Sequence, residues 1–250
     1  MQTCDVLIIG AGIAGSSLAW RLARGGLAVL LLERESQPGM HSTGRSAAMF
    51  MESYGPPGVR ALTRASRDFY LHPPPGFADQ PLLAPRAALF VATTEQHASL
   101  AAMQAELEAT GTQLSLLNKE QLALVAPALK PDLFDQALLD VHGYDIDVNA
   151  MLQGFLRGAR QAGARLLTGA VPTETTRTGD AWRVTLSNGD VVQARTVVDA
   201  AGAWADEVAT LFGAAPIGLE PRRRSAFTFR APEGVDVSNW PMVADVDEGW

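Results

Sequence analysis

Asp5-Val6-Leu7-Ile8-Ile9-Gly10-Ala11-Gly12-Ile13-Ala14-Gly15 is the stretch on which the reading of this 250-residue chain turns. Asp5 to Ile9 is a short apolar run of the kind that makes a strand buried on both faces. Ile13 to Arg24 places Leu18, Ala19 and Leu22 on one helical face and stops at Gly25-Gly26, and Leu27 to Glu33 reads as a second buried strand. Strand, helix and strand in about 30 residues predict a right-handed parallel crossover. Between strand and helix, Gly10 permits the tight turn, Gly12 lets backbone approach a pyrophosphate, and Gly15 allows the helix to pack closely on the strand. The amides at the helix start, around Ile13 and Ala14, then face an anion. About 20 residues on, Glu33 supplies the carboxylate that accepts hydrogen bonds from an adenosine ribose and repels a 2′-phosphate. A ligand-free glycine turn shares part of this pattern, but strand, helix and acid together select a dinucleotide.

From Gln37 to Gly58 the chain is rich in Gly, Ser, Thr and Pro, a loop of functional length in which Arg45 to Met49 predicts a short helix. A helix over Val59–Tyr70 ends at His72-Pro73-Pro74-Pro75-Gly76, where prolines remove donors and mark a domain crossing. Leu83 to Thr93 predicts a strand. Glu95 to Thr110 predicts a helix with Leu100, Met103 and Leu107 in its core stripe and Gly111 as its stop, and Lys119 to Val125 a shorter one ending before Pro127. Asp147 or Asn149 caps a helix over Ala150–Gln161. Arg165–Thr168, Ala181–Ser187 and Val191–Gln193 form a meander joined by Thr178-Gly179-Asp180 and Asn188-Gly189. Thr196–Asp199 is a further buried strand, followed by a helix to Phe212, and Ala226–Phe229 begins another strand. No internal repeat or low-complexity tract occurs.

Composition narrows the chemistry. The net charge of −7 repels phosphate backbones and the one dense basic run is Arg222-Arg223-Arg224, so nucleic acid is not an expected partner. A single cysteine, Cys4, in a strand context of inert burial, excludes an internal disulfide framework and fits a reducing, cytoplasmic setting. No run approaches the ~20 apolar residues of a membrane span, and the first one feeds directly into the glycine motif, so neither a transmembrane segment nor a signal peptide is expected. His41, His72, His97 and His142 lack metal-ligand spacing, so no metal is expected and each reads as a surface or loop residue. No Gly-x-Ser-x-Gly elbow is present.

NAD and FAD both suit the glycine motif, but only one such fingerprint exists, and an enzyme reducing a flavin with nicotinamide ordinarily needs two. Ser42-Thr43-Gly44-Arg45-Ser46 offers hydroxyls and a guanidinium to a pyrophosphate, and Val197-Val198-Asp199-Ala200-Ala201-Gly202-Ala203-Trp204 offers small residues that let a strand end lie against a dinucleotide. Each alone also fits a plain turn.

Together with Glu33-Arg34-Glu35 and His41-Ser42-Thr43-Gly44-Arg45-Ser46-Ala47-Ala48, these motifs resemble the glycine/D-amino-acid oxidase family of FAD enzymes, nearest to its D-arginine dehydrogenase branch. The resemblance extends through Pro81-Leu82-Leu83-Ala84-Pro85-Arg86 and Arg223-Arg224-Ser225-Ala226-Phe227. It implies an α/β fold: a Rossmann-like, glutathione-reductase-type FAD domain with an inserted α+β substrate domain, incomplete at its C-terminus. The expected division is 1–80 and 141–217 for the FAD domain, and 81–140 and 218–250 for the substrate domain. FAD would be held non-covalently by Gly10, Gly12, Ile13, Ala14, Gly15, Glu33, Arg34, Ser42, Thr43, Gly44, Arg45, Ser46, Ala47, Ala48, Val171, Pro172, Ala201, Gly202 and Trp204.

The implied reaction oxidises the Cα–N bond of an amino acid by hydride transfer to flavin N5, giving an imino acid that hydrolyses in water. Such chemistry asks the protein chiefly to orient a neutral amine. By resemblance, Tyr54 would touch substrate from a mobile lid; a surface tyrosine packed on the following helix is the other reading. Arg224 would bind the substrate carboxylate, or else join its neighbours in a solvated strand edge. Where the D-arginine branch carries polar residues this chain has Met49 and Met51, and where that branch has an acid it has Ala88. The expected pocket therefore favours apolar D-amino acids over D-arginine. A sarcosine- or glycine-type amine oxidase and an inactive FAD-binding fragment are the alternatives, and the flavin's electrons would leave to a quinone-like carrier or oxygen.

Overall fold

In the computed structural model, residues 1–130, 132–223 and 225–247 are described. The chain begins with β1 (Gln2–Ile9), α1 (Ile13–Arg24), β2 (Val29–Leu32), β3 (Met49–Phe50) and α2 (Pro57–Leu71). It continues through β4 (Leu83–Pro85), β5 (Ala88–Ala92), α3 (His97–Ala109), β6 (Ser115–Asn118), α4 (Lys119–Val125), β7 (Gln136–Asp140) and β8 (Tyr144–Ile146). Then come α5 (Val148–Gln161), β9 (Arg165–Leu167), β10 (Pro172–Thr178), β11 (Ala181–Leu186), β12 (Val191–Asp199), α6 (Ala205–Leu211) and β13 (Met242–Asp245). Two compact units result. The first comprises Met1–Ala47, Pro74–Gln80 and Val148–Phe227; the second comprises Ala48–Pro73, Pro81–Asp147 and the residues from Thr228 onward.

The first unit is built on a six-stranded sheet of order β10-β11-β12-β1-β2-β9. β12, β1, β2 and β9 run parallel, while β10, β11 and β12 form an antiparallel meander. All four β2 residues are buried, as expected of a central parallel strand. Leu7, Ile9, Leu30, Leu32, Val184, Leu186 and Val192 form the core on one face of this sheet. The aromatic group Trp20, Phe77 and Phe155 joins α1, the Pro74–Gln80 segment and α5. That packing needs glycine in α5: a Cβ on Gly154 would stand 2.5 Å from the Phe77 ring, and one on Gly158 2.6 Å from Trp20.

Register fixes what the sheet presents at its carboxyl edge. Ile9 lies opposite both Leu32 and Asp199, and Leu32 lies opposite Leu167. The turns after β1, β2 and β12 therefore emerge side by side. Hydrogen bonds continue the ladder past the strand ends: Gly10 N donates to Leu32 O at 2.9 Å, Ala200 N to Ile9 O at 2.8 Å and Glu33 N to Leu167 O at 2.8 Å.

The second unit has a four-stranded sheet, β13-β5-β7-β6, and a three-stranded one, β3-β8-β4. Its structure departs from the sequence expectations in several places. Leu83–Thr93 is not one strand: the chain breaks at Arg86-Ala87, where Arg86 N donates to Gly143 O and its guanidinium pairs with Asp145 and donates to Trp240 O, so β4 and β5 enter different sheets. Arg45–Met49 makes no helix; Met49 begins β3 instead, pairing with Asp145 of β8. That pairing ties Ala48–Pro73 to the second unit, although the expected division kept it with the first. Val191–Gln193 and Thr196–Asp199 are one strand, β12, because the ladder with β1 runs on past Ala194 to Thr196; the exposed Arg195 between them pairs with Asp5 at 2.6 Å. Ala226–Phe229 has no strand ladder, and Phe227 and Phe229 are 85% and 90% exposed.

Candidate functional site

At the carboxyl edge of the first unit's sheet lies a cleft of about 460 Å³. Its floor is the turn Ile9 to Ala14, one wall is Leu32-Glu33-Arg34, a second is Gly39 to Thr43, and the far side is Ala170 to Pro172 with Ala200 to Trp204. A crevice outside the carboxyl ends of parallel strands is where open α/β sheets bind ligands.

The glycine turn has no room for side chains. Gly10 has φ +105° and a Cβ there would stand 2.3 Å from Ala200 O; a Cβ on Gly15 would stand 1.9 Å from Gly10 O. These contacts are with backbone, so neither position tolerates even alanine without the strand end and helix moving apart. Gly12 and Ala14 line the cleft, and among the described residues their amides meet no acceptor. Unsatisfied donors at a helix start form an anion site. Thr43 Oγ1 accepts from Ile13 N at 3.0 Å, fastening the 39–43 loop over that helix end.

Glu33 is 7% exposed. Its Oε2 accepts from Ala11 N at 3.2 Å and its Oε1 from Glu35 N at 3.0 Å. Each oxygen keeps further acceptor capacity at the cleft wall, which is what the two hydroxyl donors of a ribose diol require.

Trp204 lies at the cleft with the Arg34 guanidinium 4.3 Å from its ring centroid and the His41 ring at 4.6 Å. His41 Nε2 in turn meets Glu35 Oε1 at 2.9 Å. His41, which reads as a surface or loop residue, does lie partly exposed on a loop and is there part of this aromatic and charged cluster. Ala200 and Ala203, expected to lie against a dinucleotide, line the cleft, and Gly39, Met40, Ala170, Glu207, Val208 and Leu211 do so without having been singled out. The 39–43 loop and α6 bring five of these six there, and Ala170 comes from the connection between β9 and β10.

Of the other residues expected at the dinucleotide, Ser42, Val171, Pro172, Ala201 and Gly202 line the cleft, whereas Gly44, Arg45, Ser46, Ala47 and Ala48 do not. Gly44 N donates to Gly39 O and closes the loop on itself; Arg45 Nε is used on Met40 O; and Ala48 O accepts from Ile146 N within the second unit. Cys4 is partly buried and burial pushes its thiol up, so it stays protonated.

In the second unit, Met51 packs on the cluster of Ala88, Phe90, Ala92, Leu100 and Leu138. Ala88 is fully buried between β13 and β7, so its surroundings are those of a core residue. Met49 lies in β3 opposite Asp145. Tyr54 is 42% exposed, on a turn where Ser53 Oγ donates to Asp140 and Gly55 O accepts from Arg60. Arg224 lies outside the described residues. Among the described residues there is no group of His, Cys, Asp and Glu arranged to hold a metal, and no helix long and apolar enough to cross a membrane.

Comparison with known proteins agrees with this geometry. The chain is similar in fold to an FAD-bound L-alpha-glycerophosphate oxidase from Mycoplasma pneumoniae, with a TM-score of 0.75 at 21% identity over 84% of this chain and 57% of that one. It is likewise similar to glycine oxidase from Geobacillus kaustophilus, with a TM-score of 0.74 at 22% identity over 85% of this chain and 59% of that one. In sequence it is 25% identical to hydrogen cyanide synthase subunit HcnC of Pseudomonas aeruginosa over 88% of this chain and 63% of that protein. The chain thus spans less than two thirds of each of these relatives. The family model described as FAD dependent oxidoreductase matches residues 5–249. With a glycine turn, unmet helix amides and a buried acid meeting at one sheet edge, this chain belongs to the FAD-dependent oxidoreductase family, and its cofactor is FAD.

Proposed function

We propose that the protein containing this chain oxidises the Cα–N bond of amino acids, with apolar D-amino acids as its substrates. The observation that carries the cofactor half of this reading is the carboxyl-edge cleft, where Glu33, the Gly12 and Ala14 amides and Thr43 fit an adenine dinucleotide held without a covalent bond. When bound, FAD would supply the two-electron acceptor for the substrate's hydride. The chain's own residues bind and orient. Glu33 fixes the ribose, and the helix start neutralises the pyrophosphate. Tyr54 and Arg224 hold the substrate by its amine and carboxylate ends, and Met49 and Met51 provide soft apolar surface in place of a cation-binding anchor. Support for an amino-acid substrate comes from the family, from the resemblance to its D-arginine dehydrogenase branch and from the likeness to glycine oxidase.

The test is anaerobic mixing of the FAD-loaded protein with D-leucine, D-arginine and sarcosine while flavin absorption is followed. D-leucine is expected to bleach the flavin fastest. Faster bleaching by D-arginine would overturn the apolar assignment, and bleaching by sarcosine alone would assign a secondary-amine oxidase. Reoxidation by a quinone compared with oxygen identifies the electron acceptor.

A further inference from the structure

We propose that Ser53 and Arg60 are positioning residues that make the turn Glu52–Gly55 a fixed platform, presenting Tyr54 from a pinned backbone. Its consequence for catalysis rests on the reading of Tyr54 as a substrate contact; the pinning itself does not.

Ser53, Arg60 and Asp140 are 1%, 6% and 1% exposed, an unusual set of polar groups to remove from water beside a loop. Ser53 Oγ donates to Asp140 Oδ2 at 2.6 Å, and Asp140 Oδ1 also accepts from His142 N at 2.9 Å. The turn is thereby tied to the end of β7. From the other side, Arg60 of α2 donates through Nη1 to Gly55 O at 2.9 Å and through Nη2 to Glu106 of α3. Among the described residues Arg60 Nε is buried and meets no partner, so this guanidinium bears the cost of an unmet donor while it serves Gly55 and Glu106. Glu52, at the start of the turn, takes Arg67 Nη1 at 3.0 Å and Arg64 Nε at 3.4 Å. Gly55 has φ +86°, which lets the chain reverse there, and Pro56-Pro57 stiffen the exit into α2. Every residue around Tyr54 is thus held, while the Tyr54 side chain stands 42% exposed between them. A mobile lid would show the opposite: few buried contacts and solvated polar groups.

Chymotrypsin in the presence of FAD reads this directly, because cleavage of the Tyr54–Gly55 bond requires the turn to open. The wild-type chain is expected to resist, and Ser53→Ala and Arg60→Ala to be cut there at least about tenfold faster, as loss of a buried charge-assisted hydrogen bond implies. Arg60→Lys, which can reach one of the two acceptors, is expected to fall between. Rapid cutting of the wild type, or unchanged cutting in Ser53→Ala with circular dichroism and FAD content intact, overturns the proposal; Ser53→Ala carries the test if Arg60→Ala fails to fold. With D-leucine as substrate, the loosened variants are expected to raise KM more than they lower kcat, as is Tyr54→Phe. If cutting accelerates but KM moves in none of them, the platform stands and the role given to Tyr54 is withdrawn.

Discussion

Replacing Glu33 with glutamine separates the two tasks the structure gives that side chain. The carboxylate accepts one backbone hydrogen bond on each oxygen, from Ala11 N and Glu35 N, in a position only 7% exposed. Glutamine is nearly isosteric, keeps one acceptor and turns an amide NH2 toward the other donor. One charge-assisted bond is lost and two donors face each other, about 2 kcal/mol against the folded chain. For a chain of this size that corresponds to a fall in Tm of roughly 4–8 °C. The ribose side loses a charged acceptor of similar worth, so the Kd for FAD is expected to rise by about ten- to a hundredfold. Differential scanning fluorimetry without added FAD measures the first effect, and titration of FAD fluorescence quenching measures the second. A variant that loses stability but binds FAD within about twofold of wild type would show that Glu33 serves only the turn, and would refute its ribose role.

Gly15→Ala places a Cβ 1.9 Å from Gly10 O, and the resulting shift of α1 off β1 is expected to cost several kcal/mol and abolish FAD binding, measurable by urea unfolding and flavin content. Trp204→Ala removes the surface on which Arg34 and His41 pack, and is expected to weaken FAD about tenfold with little change in secondary structure by circular dichroism. The backbone N–H of Ile217, then those of Leu219 and Gly218, hold the Asp206 carboxyl below its usual range. A depressed pKa stabilises the fold above the unfolded value, near pH 4, and that contribution is lost as pH falls through the folded value. Asp206→Asn is therefore expected to be less stable than wild type at pH 7, with the gap closing below about pH 4; a gap independent of pH in acid denaturation would remove the linkage.

Local patterns carried the first crossover unit, because everything that defines it lies within thirty-odd residues: the apolar runs, the spacing of Gly10, Gly12 and Gly15, and the acid at the next strand's tip. Helix α1 has the bounds its periodicity predicts, as does α4. Elements whose stability comes from partners far along the chain were not legible. β10 is an exposed, Thr-rich strand without apolar alternation, held by its ladder with β11. β13 exists because it pairs in parallel with β5, from far earlier in the chain. The same limit explains the site. His41 reaches Trp204 only because the 39–43 loop folds over the sheet edge, and no spacing in the sequence encodes that contact. Ala88 reads as a specificity position beside the family pattern, yet a strand buried between two others puts its methyl in the core.

The most direct measurement is flavin retention. The purified 250-residue chain, incubated with excess FAD and passed through gel filtration, is expected to emerge yellow, with flavin bands close to one FAD per chain that fall away in Gly15→Ala. A chain that emerges folded by circular dichroism and colourless would contradict the assignment of the carboxyl-edge cleft to the dinucleotide.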